Sequence, residues 1–209
     1  YIAAISGCIQ IQGNYIQISQ MYVFDDITLA TGNVSEKGTV YIRGNVGSGT
    51  KIHADGDIIV DGFIEGASLD SDRQVFLRKG MNGFGRGSVR AGTSVTGCFF
   101  EGVKIYAEGD VTADYCMDCE IQAQGKIRLS GTKGALIGGQ ASALCGMEVF
   151  NVGNPAAVPT TVRIGHCGGH FERQRKELEQ KIAGTERELA VFRSAYADFM
   201  ARYPAEVRS

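Results

Sequence analysis

Three stretches of this chain are copies of one short unit: KIHADGDI at 51–58, KIYAEGDV at 104–111 and EIQAQGKI at 120–127. In each, an apolar residue, a spacer, Ala, a spacer and Gly run in order. A unit this short cannot bury its own apolar face or pair its own backbone, so it folds only by stacking on its neighbours. A second set of copies strengthens the pattern. FIEGASL at 63–69 matches FFEGVKI at 99–105, and YCMDCEI at 115–121 matches it again. Gly38, Gly56, Gly92, Gly109 and Gly125 mark the beat at intervals of 18, 36, 17 and 16 residues, which predicts a coil of 16 to 18 residues.

Within a unit the side chains alternate. Ile58 and Val60 point one way and Asp57, Ile59 and Asp61 the other, and a period of two means strand. Stacked coils then put Ile52, Leu69, Ile105 and Ile121 in one apolar ladder and Ala54, Ala107 and Ala123 in another. Ile105, Ile121, Val111 and Ile127 are expected in one buried stack. A perimeter of ~17 residues at ~3.3 Å each is ~56 Å, so a triangular coil has sides under ~19 Å, filled by side chains from three walls. The fold class is mainly β, a parallel β-helix or solenoid with a solid interior. Gly is expected where the chain turns corners with positive φ.

The flanks differ from the repeat. CIQIQGNYIQISQ alternates on both sides of Gly13-Asn14 and predicts an antiparallel hairpin capping the open end of the stack, within an N-terminal segment 1–30. LRKGMNGFGRGSVRAG at 77–92 reads as a Gly-rich corner loop protruding from the solenoid. Residues 134–165 read as irregular last coils, with Pro155 and Pro159 in loops. The β-helix therefore spans 31–165 and a different segment begins at 166. From Phe171 to Tyr203 apolar and large residues recur at steps of four and three, a heptad seam ended by Pro204. Its interaction face is Leu178, Ile182, Leu189, Phe192, Tyr196 and Phe199. A long coiled-coil helix is expected there, ~50 Å at 1.5 Å per residue, weakened by Gly184.

Several chemistries are weighed and set aside. GNVGSGTK at 44–51 has the glycine spacing of a phosphate loop, but Thr50-Lys51 is in reversed order and a strand pattern follows instead of a helix. Net charge is −2, so no global field favours nucleic acid or an anionic membrane. No apolar run is long enough for a transmembrane helix. Six cysteines in 209 residues do not make a disulfide scaffold. Cys116 and Cys119 form a CxxC, yet the repeat aligns them with Ile64 and Phe100 and with Ala67 and Val103, so they are read as core filling. His166, Cys167 and His170 could give zinc three ligands with Cys145 as a fourth; a polar linker is the reading preferred. His53 points outward. Asp55, Asp57 and Asp61, with Glu108 and Asp110, are read as solvation and edge protection rather than as a catalytic wall.

With these residues in view, the chain resembles the flagellar assembly protein A family. The resemblance rests on TGNVSEKGTVYIRGNVGSGTKIHADGDIIVDGFIEGA at 31–67, KGALIGG at 133–139 and NVGNPAAVPTTVRIG at 151–165, followed directly by the charged heptad helix. It implies a right-handed parallel β-helix similar to bactofilin cytoskeletal proteins, continuing into a helical hairpin before the chain returns to close the β-region. The expectation is a fragment: the chain starts at Tyr1, and the returning helix is missing. The family brings no established catalytic residues, so no catalytic, cofactor or metal site is assigned.

The function expected is that of a non-enzymatic scaffold of flagellar assembly or cell-pole organisation in the bacterial cytoplasm. It would act through protein partners and through self-association along the helix, with no cofactor, no nucleic acid and no membrane span. The alternatives are a β-helical enzyme acting on a carbohydrate or acyl substrate, and a metal-binding module at His166–His170.

Overall fold

The computed structural model describes residues 7–12, 15–165 and 180–186 and the single helical positions 189, 192, 193 and 196; for 7–12 and 15–19 it describes the backbone path alone. The chain divides into two units, Tyr1–Cys167 and Gly168–Ser209. The first is a parallel β-solenoid of about 8 turns.

Each coil contributes to three walls. On the first wall, the predicted ladder runs through Val34, Ile52, Leu69, Val89, Ile105, Ile121, Ala141 and Val162. Two positions on, Ala54, Ser71, Ala91, Ala107, Ala123 and Ala143 form the companion ladder of small residues. The second wall stacks Val40, Ile58, Val75, Val95, Val111, Ile127 and Met147. Ile105 and Ile121 therefore do not share a stack with Val111 and Ile127; the four line two walls of one core. On the third wall Ile64, Met81, Phe100, Cys116 and Leu136 follow one another. All five are essentially inaccessible to solvent, as are Ile58, Ile105, Ile121 and Ile127. Burying a Leu or Ile side chain stabilises by about 1.5–3 kcal/mol, so the stacked ladders are the main favourable term.

The coil is less regular than the glycine beat suggests. Val34, Ile52 and Leu69 follow at 18 and 17 residues, and Val89, Ile105 and Ile121 at 16. But Leu69 to Val89 is 20, Ile121 to Ala141 is 20, and Ala141 to Val162 is 21. The first long interval comes from the Gly-rich stretch, which is a strand, Val75–Ala91, and not a protruding loop. It carries a bulge. Asn82 pairs with Glu101 and Gly87 with Val103, so residues 83–86 stand opposite Gly102 alone. The excess turns outward at Phe84 (φ 49°) and Gly85 (φ 71°), with the Phe84 N–H donating to Asn82 Oδ1 at 3.1 Å. The second long interval is a corner at 130–134 gathered by Asp114, whose carboxylate accepts the N–H of Lys133 and Gly134 and the Thr132 hydroxyl. Pro155 and Pro159 lie outside strands.

The glycines of the beat do not have the conformation expected of them. Gly38, Gly56, Gly92, Gly109 and Gly125 all have ordinary φ. They are needed because corner lies on corner: a Cβ on Gly56 would sit 2.7 Å from the Gly38 carbonyl carbon, and one on Gly109 would sit 2.6 Å from the Thr93 oxygen. Left-handed backbone belongs to another corner, at Gly32, Gly49, Gly66, Gly85 and Gly102, with Asp118 at φ 51° taking the same conformation.

At the N-terminal end, Gly7–Gln12 and Tyr15–Phe24 pair antiparallel, Gln12 opposite Tyr15. The second of these strands runs on to pair parallel with Thr39–Ile42, Met21 opposite Thr39, so hairpin and solenoid share a strand. In the second unit, 180–186 is helical. The Thr185 hydroxyl donates back to the carbonyls of Lys181 and Ile182.

Candidate interaction surface

With the interior filled by apolar ladders, chemistry is left to outward side chains, and these too stack in columns. On the third wall, strands Phe63–Glu65 and Tyr115–Ala123 and parts of Val75–Ala91 and Val95–Ala107 bring Phe63, Gly80, Phe99 and Tyr115 into register. Gly80 has no side chain, and the Phe99 ring occupies that space: a Cβ there would lie 2.5 Å from Phe99 Cδ1. The Phe63 and Phe99 centroids are then 6.4 Å apart, and Phe99 and Tyr115 stack at 5.5 Å with 10° between ring planes. Lys79 Nζ lies 4.7 Å from the centre of the Phe63 ring and Lys133 Nζ 3.8 Å from that of Tyr115. The Tyr115 hydroxyl donates to Glu101 Oε1 at 2.8 Å, and Asn82 Nδ2 donates to the other oxygen at 3.4 Å. Burial, then this bond to a carboxylate, pushes the phenol up to about 12. Toward the first coils the column opens into a depression of about 450 Å³ over Gly47, bordered by Asp26, Thr28, Asn45, Phe63 and Glu65.

The sequence reading does not single out this aromatic column. Its signal lies in the copies FIEGASL, FFEGVKI and YCMDCEI, whose first residues are Phe63, Phe99 and Tyr115.

The predicted seam is only partly within reach. Ile182, Leu189, Phe192 and Tyr196 are 56%, 51%, 73% and 64% exposed. Leu178 and Phe199 lie outside the described residues, as do His166, Cys167 and His170. Cys145 is exposed, its thiol donating to the Gln124 carbonyl at 3.3 Å. No group of three or more His, Cys, Asp or Glu among the described residues is placed to hold a metal ion.

Cys116 and Cys119 are buried at ladder positions, Cys116 between Phe100 and Leu136. A hydrogen bond to Cys119, then burial, pushes the Cys116 thiol well up, away from the reactive thiolate.

The acids are more structural than expected. Asp57 accepts the Gln74 N–H and faces Arg73, while Asp61 accepts the Tyr41 hydroxyl at 2.6 Å and faces Arg78 at 2.9 Å. Asp110 accepts the Lys126 N–H and pairs with Arg128, and these contacts hold its carboxyl below the usual range. His53 does turn outward, between Asp55 at 3.4 Å and Asp70 at 3.2 Å. These contacts staple one coil to the next rather than converge on a pocket. In the loop that imitates a phosphate site, the Thr50 hydroxyl is buried and donates to Gly47 O at 2.8 Å, and the Lys51 N–H donates to Asn33. It is a corner.

The model of the flagellar assembly protein A β-solenoid domain matches residues 20–208. The chain belongs to that family. The match begins in the strand shared by hairpin and solenoid and extends through the helical segment, so a flagellar assembly protein A domain here includes both units. The family is one of flagellar assembly and not a known enzyme class. Comparison with curated proteins and with solved structures returns no match. No described helix is long and apolar enough to cross a membrane.

Proposed function

We propose that the chain is a non-enzymatic scaffold in the assembly of the bacterial flagellum or the organisation of the cell pole, working in the cytoplasm by protein–protein contact and by self-association through its helix. The observation that carries this reading is the division of labour between the two faces of the solenoid wall. The inward faces form one apolar core, and the outward faces carry stacked rings and ion pairs that hold neighbouring coils together. Such a body is stiff and presents long columns of side chains, which suits docking. The helical segment adds the second surface. Ile182, Leu189, Phe192 and Tyr196 recur at steps of seven, three and four and are more than half exposed. A row of this kind is favoured only when a partner helix covers it. Gly184, which costs about 1 kcal/mol relative to Ala in a helix, makes that cover more necessary.

Sedimentation of the full chain tests the self-association. A dimer or larger species is expected, and Leu189→Glu with Phe192→Glu should return it to the monomer with an unchanged β-sheet melt. A chain that sediments as a monomer at high concentration would show that the exposed row is not a self-association seam. For the setting, a fluorescent fusion in cells should concentrate at the base of the flagellum or the pole; uniform fluorescence would argue against it.

A further inference from the structure

Several carboxylates on the solenoid surface hold a cation: Asp25 faces Arg43, Asp57 Arg73, Asp61 Arg78 and Asp110 Arg128. Asp26 and Glu65 do not, although both border the depression over Gly47. Among the described residues neither has a Lys, Arg or His at ion-pair distance. Asp26 is nonetheless held in place, because its Oδ1 accepts the Asn45 N–H at 2.6 Å. Phe63, 48% exposed, forms the aromatic border of the same depression. The depression exists because Gly47 carries no side chain where its neighbours do. A Cβ there would meet only ordinary contacts, 3.5 Å from Ile27 O, so the opening is not forced by crowding below. The wall also shows what its rings accept, since Lys133 lies over Tyr115 and Lys79 over Phe63 itself, where a partner's cation would take the ammonium's place.

We propose that this depression is a docking groove for an extended basic segment of a partner protein, with one cationic side chain meeting Asp26 and a second meeting Glu65 beside Phe63. The inference rests on the scaffold reading above. Asp26 and Glu65 stand two coils apart, about 10 Å at the spacing of paired strands, and two residues apart along the strands, about 7 Å, so about 12 Å in all. Cations four residues apart in an extended chain at ~3.3 Å per residue span about that distance and share one face. Arginine fits best. Its planar guanidinium stacks on a ring while its N–H groups reach a carboxylate, and it gives up hydration more readily than an ammonium.

The test is an amide NMR titration of the isotope-labelled full chain with the peptide acetyl-Gly-Arg-Gly-Gly-Gly-Arg-Gly-amide. Saturable shifts are expected at Asn45, Gly47, Phe63 and Glu65. Asp26→Asn, which keeps an oxygen for the Asn45 N–H, and Glu65→Gln should each weaken binding up to roughly fivefold, as loss of an exposed ion pair does. Gly47→Leu should fill the groove and abolish the shifts while leaving the melt unchanged. Asp72→Asn, which removes an exposed acid elsewhere, should have no effect. The inference is overturned if no saturable shift occurs, if shifts spread over every exposed acid, or if the Gly-Glu-Gly-Gly-Gly-Glu-Gly peptide moves the same amides equally. It is also overturned if Asp26→Asn with Glu65→Gln abolishes self-association, since the occupant is then a second copy. A chain that ignores the peptide yet still associates through Leu189 and Phe192 loses the groove and keeps the scaffold reading. One that binds the peptide at the groove but stays monomeric and uniformly distributed keeps the groove and loses that reading.

Discussion

Gly56→Ala separates the two reasons a solenoid corner can demand glycine. Gly56 has ordinary φ, so alanine meets no conformational penalty there. Its new Cβ would instead lie 2.7 Å from Gly38 C, 2.7 Å from Thr39 N and 2.8 Å from Gly38 O. All three are backbone atoms, and none can swing aside as a side chain could. Relief requires the two corners to part, which stretches the 3.1 Å bond from the Gly56 N–H to Gly38 O. Overpacking typically costs 1–3 kcal/mol and a weakened backbone hydrogen bond about 0.5–1.5, so we expect a loss of about 2–3 kcal/mol. For a body of this size that lowers the melting temperature by about 5–10 °C. Gly32→Ala is the contrast: φ is 78° and nothing lies within 4 Å, so its cost is conformational alone, about 1–2 kcal/mol. Thermal melts followed by far-ultraviolet circular dichroism read both, and amide exchange at Gly56 and Val40 reports whether the damage is local to the stacked corners. A Gly56→Ala chain that melts within about 1 °C of the parent, with unchanged exchange at Gly56, would refute the close-stacking account.

Ile121→Asp places a carboxylate in the ladder between Ile105 and Ala141, where Ile121 is 1% exposed, and should cost about 3–5 kcal/mol in urea denaturation. An unchanged midpoint would show that the ladder is in a different register. With a thiol reagent under native conditions, Cys98 and Cys145 should label at once and Cys116 and Cys119 only after unfolding; peptide mapping by mass spectrometry distinguishes the four. Rapid labelling of Cys116 would contradict its place in the core. Tyr115 has a raised folded-state pKa, so its protonated form is the one the fold favours. Its contribution is complete below pH 10 and is lost as pH rises through about 12. The bond to Asp61 raises Tyr41 as well, so phenolate absorbance should show a late step that loses one phenol's amplitude in Tyr115→Phe, and an unchanged late step in that variant would assign it to Tyr41 alone.

How far the sequence could be read depended on whether a signal lay within a unit or between units. Alternation is a property of six or eight residues, so Ile52, Leu69, Ile105 and Ile121 could be placed on one ladder with no knowledge of what stood above them. The same alignment put Cys116 with Phe100, and the structure pairs them. Pitch is set by corners, which vary by insertion without disturbing the alternation on either side. The bulge at 83–86 is such a case. It hid Val89, which stands in the ladder between Leu69 and Ile105, behind glycines that looked like a loop. The acids show the same limit from the outside. Whether Asp57 and Asp61 meet water or the next coil depends on which residues lie one pitch away, and those are Arg73, Gln74 and Arg78. Gly47 carries the argument furthest. In the sequence it is one of three glycines of a phosphate-loop imitation, and its role depends on what stands one coil away on either side. Thr28 precedes it, Glu65 and Phe63 follow, and only the stack turns a missing side chain into the floor of a groove.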